Sequence, residues 1–142
     1  MVEKLEVSIN VIIHATEDIS KFLNVFQEMF GLAEEDFSIE HTTGHFDNPI
    51  TILNSKLVKG QASKFLSIFI KNISKEQISE MINEIEERTI DSRYHIRIDK
   101  QEFIKGKIEF QEKEAIKLKI HIPIYNKKNT VKIFTEVFQT AN

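Results

Sequence analysis

Three stretches of this chain alternate apolar and polar residues so regularly that each fits a strand with one dry side and one wet side. From Lys4 to His14, Leu5, Val7, Ile9, Val11 and Ile13 alternate with Glu6, Ser8, Asn10, Ile12 and His14. Tyr94, Ile96 and Ile98 alternate with His95, Arg97 and Asp99, and from Ile116 to Ile124 five isoleucine or leucine positions stand opposite Lys117, Lys119 and His121. Side chains of a strand point to opposite faces with period two, so such segments bury one face and leave the other to solvent or a partner.

The intervening segments have the helical period. Thr16 is placed as an N-cap, with Glu17 and Asp18 in the first turn where the helix dipole favours anions. Ile19, Phe22, Leu23, Phe26 and Phe30 then mark one face, and Gly31 ends the helix. Ala62, Phe65, Leu66, Phe69 and Ile70 fall at helical spacing after Gly60. Ser74 to Gln77 forms a capping box ahead of Ile78, Met81, Ile82 and Ile85. Thr130 onward, with Val131, Phe134, Val137 and Phe138, predicts a closing helix. Weaker strands are expected over Asp36 to Phe46, Ile50 to Leu57 and Lys107 to Gln111, and Pro123 makes the end of the last long strand an exit. The pattern predicts an α+β class: a mostly antiparallel sheet with helices packed on one face, in a single domain spanning 1–142.

Asp99, Lys100 and Gln101 break the second alternation, and Phe103 and Ile104 before Gly106 predict one tight helical turn closed by a glycine at positive φ. Lys100 and Gln101 are expected at the mouth of that turn. If the last three strands are neighbours, the wet face presents His95, Arg97, Lys107, Lys117, Lys119 and His121 together. His41 to Pro49 is turn-rich, and Asn48 before Pro49 is pushed to extended geometry, which fixes the loop's shape.

Charge bears on what such a face meets. The 142 residues carry a net charge of -3, which argues against a generic polyanion binder. The distribution is uneven. Residues 1–90 hold 8 basic and 15 acidic groups, net -7, and residues 91–142 hold 11 basic and 7 acidic, net +4, so a basic face can sit on an acidic protein. Cysteine is absent, so neither a disulfide framework nor a cysteine zinc site exists. No apolar run is long enough to span a membrane, the first residues lack a secretory pattern, and a cytoplasmic location with no membrane partner is expected.

The polar face suits RNA through its backbone, because Lys and Arg replace the counterions around phosphate while a fixed loop and Gln101 approach sugar or base edges. Its competitor is ordinary solvation of an exposed strand. Strand positions on that face carry no aromatics, which disfavours the base stacking of common single-strand modules. His41 and His45 sit in a loop without the carboxylate motif of a zinc site, so no metal and no cofactor is expected. No nucleophile elbow, dinucleotide fingerprint or phosphate-cradling glycine loop occurs, so no enzyme is expected. Paired histidines cleaving RNA would need two of them together.

Three motifs in order resemble an archaeal RNA-binding family described as predicted exosome-associated subunits. They are Ala15 to Asp18 after the first strand, Gly44 to Ile50 in the loop, and Arg97 to Gln101 followed by Gly106. The resemblance runs to about Ile122. It implies a fold like that of the fifth protein of the large ribosomal subunit, RNA as partner, and an accessory role in an RNA-processing complex or ribosome work. On it His45, Asn48, Arg97, Lys100 and Gln101 become candidate RNA contacts, joined by Lys107, Lys117 and Lys119 from the basic face. Asp47 stands where the family pattern usually has glycine. A protein interaction module, such as a homodimer built on the closing helix or a strand edge, is the alternative. The polar residues also have local uses: Asp99 accepting bonds from its turn, Asn48 bracing its loop, and Arg97 pairing with Glu109 across strands.

Overall fold

The computed structural model describes residues 4–140. Its strands are β1 (Glu6–His14), β2 (Ser38–Thr43), β3 (Pro49–Val58), β4 (Thr89–Ile90), β5 (Arg93–Asp99) and β6 (Ala115–His121). The helices are α1 (Ile19–Phe30), α2 (Lys59–Lys71), α3 (Lys75–Asn83), α4 (Ile85–Arg88), α5 (Lys100–Phe103) and α6 (Thr130–Thr140). The strands form one antiparallel sheet in the order β2-β3-β1-β6-β5-β4. The three alternating runs are β1, β5 and β6. Leu5, Val7, Ile9, Val11, Ile13, Tyr94, Ile96, Ile98, Ile116, Leu118 and Ile120 are all buried.

Packing groups the described residues into two compact units, one of 4–7, 57–96 and 119–140, the other of 8–56 and 97–118. The first is built on aromatics. The Tyr94 ring meets Phe138 edge-on at 5.0 Å and Phe134 at 5.8 Å, and its hydroxyl donates to the Met81 carbonyl of α3 at 2.8 Å. Burial pushes the Tyr94 hydroxyl pKa up, which keeps it a neutral donor. Ser74 and Gln77 close the expected capping box, at 3.0 and 2.8 Å. Ile90 opposes Arg93 across a two-residue turn in which Asp91 and Ser92 both take positive φ, at 51° and 65°. Such primed turns match the strand twist.

The second unit centres on Phe26, whose ring lies 4.7 Å from Phe103 and 4.9 Å from Phe37. Gly31, at φ 70°, ends α1 with its N–H on the Gln27 carbonyl and Leu32 N–H on the Phe26 carbonyl, a Schellman arrangement.

Three expectations shift. Asp18, not Thr16, caps α1, because its carboxylate accepts the Ser20 N–H at 2.9 Å and the Ser20 hydroxyl at 2.7 Å. Lys107 to Gln111 is not a regular strand. Lys107 N–H still bonds the Glu102 carbonyl at 3.0 Å, so it belongs to the preceding turn, and only one bridge, Ile98 to Phe110, joins this segment to β5. Lys59, itself at φ 52°, opens α2 over Lys59–Lys71, so Gly60 lies inside the helix rather than before it.

Candidate nucleic-acid interface

In the unit of residues 8–56 and 97–118, β1 ends at His14, β3 begins at Pro49, β5 ends at Asp99 and β6 begins at Ala115. Antiparallel pairing brings these four ends together, and with them the 14–18 turn, the 44–48 hairpin tip and the 100–106 turn. The motif residues collect here.

Asp99 caps α5, accepting the Glu102 N–H at 2.9 Å, and Gly106 closes that turn at φ 82° as its sequence position predicts. Lys100 departs from expectation. It is 4% exposed, and its Nζ donates to the Ile12 carbonyl at 2.6 Å and to the Glu17 carboxylate at 2.7 Å. The same Glu17 oxygen accepts the His14 N–H at 2.9 Å. An ammonium group removed from water needs such partners, and with them satisfied it has little capacity for phosphate. Lys100 is therefore a positioning residue that ties α5 to β1 and the 14–18 turn.

Gln101 stays at the surface. With Thr16, Glu17, Asp18, Lys21, Phe22 and Ile104 it lines a cleft of about 140 Å³. Hydrogen bonds from the Ser20 side chain and backbone hold the Asp18 carboxyl below its ordinary pKa of 3.8, so it stays anionic there. The cleft thus mixes an anion with the Lys21 ammonium and the Gln101 amide.

Arg97 and Lys117 are exposed between buried neighbours on β5 and β6, on the side of each strand away from the core. Arg97 donates to the Glu112 carbonyl at 3.2 Å, not to the Glu109 carboxylate, so its charge is not neutralised by that bond. Lys107 is exposed just beyond Gly106. Among the described residues neither Lys107 nor Lys117 has a carboxylate within ion-pair distance, whereas Lys105 sits 3.6 Å from Glu102 and His14 sits 3.1 Å from Glu114. Lys119, exposed on β6, and His121, 3.6 Å from Glu6, belong to the other unit.

The hairpin between β2 and β3 is tightly made. Gly44 N–H bonds the Asn48 carbonyl at 2.7 Å and Asp47 N–H bonds the Gly44 carbonyl at 3.1 Å. A Cβ on Gly44 would lie 2.6 Å from Ile50 Cδ1 and 2.8 Å from the Asn48 amide oxygen, so the Asn48 side chain packs over Gly44. Asp47 has φ 58°, the left-handed conformation that makes glycine the natural occupant and that Asp tolerates better than most residues. His45 is exposed beside Phe46, ring centroids 4.9 Å apart and planes at 80°. Phe46 itself is 86% exposed. Alternation could not find it, because it lies at a turn and not on a strand; the available signal was an apolar residue flanked by turn formers.

His41 lies on β2, its ring 3.2 Å from the Thr51 hydroxyl. Among the described residues, no three His, Asp or Glu side chains are grouped to hold a metal ion, and no helix is long and apolar enough to cross a membrane.

A family model described as RNA binding matches residues 6–122. An RNA-binding protein of Pyrococcus abyssi is 29% identical over 124 residues, 83% of this chain and 79% of that protein. Two solved DUF54 structures share the fold. The protein from Archaeoglobus fulgidus superimposes with a TM-score of 0.80 at 24% identity, covering 94% of this chain and 99% of that one. The protein from Sulfolobus solfataricus gives 0.78 at 24% identity, covering 96% and 97%.

Proposed function

This chain belongs to the RNA-binding family, and from that premise we propose that it is a noncatalytic protein that binds RNA through the cationic wet face of its sheet and the adjoining turns. The observation that supports the reading most is that the family match covers both strands carrying the exposed Arg97 and Lys117. Cations held on a sheet can displace phosphate counterions with little further ordering of the backbone. In this reading Arg97, Lys107 and Lys117 meet phosphates in one unit, and Lys119, in the other, is a separate candidate contact. Gln101, His45 and Asn48 approach sugars or base edges from the turns. Lys100 acts indirectly, by fixing α5.

We extend this to an accessory role in RNA processing or ribosome work, with a fold like that of the fifth protein of the large ribosomal subunit. RNA is held and not cut. A second reading, a protein partner or second copy, has one observation in its favour: Tyr125 is 90% and Ile90 61% exposed in the other unit. Titration of labelled RNA at low ionic strength, followed by anisotropy, tests the RNA reading. Saturable binding that weakens with salt, with the RNA intact afterwards, is expected; no binding would contradict it.

A further inference from the structure

Resting on the RNA-binding reading, we propose that Phe46 is a stacking platform for one unpaired RNA base, so that the RNA recognised contains a bulged, looped or single-stranded nucleotide rather than uninterrupted duplex. The wet positions of β1, β5 and β6 carry no Phe, Tyr or Trp, yet the hairpin tip at the same end of the sheet presents Phe46 at 86% exposure. Its backbone is fixed. Two hydrogen bonds close the tip, Asn48 fills the space over Gly44, and Asp47 holds a left-handed conformation to complete the turn. The edge-to-face contact with His45 buttresses the ring at 4.9 Å while most of it stays in water.

A ring presented on a pre-formed turn can receive a base without first ordering the chain, which lowers the entropic cost of stacking. Stacking uses the π-face that every base shares, so the platform is tolerant of sequence, and bases inside a continuous duplex are already stacked on their neighbours. The ligand chemistry is therefore an extruded base attached to a phosphodiester chain whose charge meets Arg97, Lys107 and Lys117 of the same unit. His45, beside the ring, supplies imidazole nitrogens able to bond the edge of the base or its ribose.

The chain contains no tryptophan, so Phe46→Trp creates a single tryptophan reporter, excited apart from the two tyrosines at the red edge of indole absorption. The full-length variant is titrated with two RNAs of equal charge, one uninterrupted duplex and one carrying a bulged nucleotide. Quenching of the indole by the bulged RNA is expected, together with about a tenfold loss of affinity for that RNA in Phe46→Ala, the effect of one stacked base. Affinity for the duplex and thermal stability should stay unchanged. If RNA binds but the indole emission does not move and Phe46→Ala binds both RNAs as the parent does, the stacking site is wrong while RNA binding stands. If the parent binds neither RNA, both readings fall.

Discussion

The ammonium of Lys100 lies 2.7 Å from the Glu17 carboxylate, 83 residues away in sequence, and both side chains are largely shielded, at 4% and 15% exposure. This pair joins the turn after β1 to the turn after β5, and so sets where Gln101 stands. Lys100→Ala leaves the half-buried Glu17 carboxylate without its cation and should cost about 3 kcal/mol of stability. Lys100→Arg should recover only part, since the fork of a guanidinium does not fit where a single ammonium bridges a carbonyl and a carboxylate. Urea denaturation checks both. Equal stability of Lys100→Ala and parent would show that the pair does not tie the turns.

The hairpin tip should respond to its backbone geometry. Asp47→Gly removes the cost of a left-handed aspartate while giving the unfolded chain more freedom, so the net change should be within about 1 kcal/mol, whereas Asp47→Val should destabilise by about 1–2 kcal/mol. Gly44→Ala must displace Ile50 and the Asn48 amide and should cost about 1–3 kcal/mol. Thermal midpoints in one buffer rank the three. A neutral Gly44→Ala would contradict the packing of Asn48 over the turn.

Asp18 gives a signed dependence on pH. Its carboxyl is held below 3.8 in the folded chain by the Ser20 bonds, so its contribution to stability is fully present above pH 3.8 and is lost as pH falls through the lower folded value. Asp18→Asn keeps an N-capping oxygen but removes the titration. The difference in stability between parent and variant should therefore shrink or invert as the solution is acidified below pH 3.8. A constant difference across that range would remove Asp18 from the account.

The parts of this molecule that sequence revealed are those governed by local period and backbone chemistry. β1, β5 and β6 declare themselves because each places one side in the core. Ser74 and Gln77, Gly31 and Gly106 are legible because caps and left-handed turns restrict residue type. β4 has two residues and cannot display a period. Lys100 follows a strand among polar residues and reads as exposed, because its partners on the 12–17 segment are brought to it only by the fold. The α1 cap moves from Thr16 to Asp18 for a related reason: the Glu17 side chain turns back to His14 and Lys100 rather than entering the first helical turn. Phe46 stood in plain view, but hydrophobicity alone does not tell a buried ring from one that a rigid turn holds in water.

If the wet side of the sheet in the 8–56 and 97–118 unit meets RNA phosphates, its exposed cations set how steeply affinity falls with salt. Arg97→Ala and Lys117→Ala should each lower the slope of log affinity against log salt by about 1, and the double variant by about 2, with denaturation midpoints close to the parent's. Slopes identical to the parent's in all three folded variants would show that RNA, if bound, is held elsewhere.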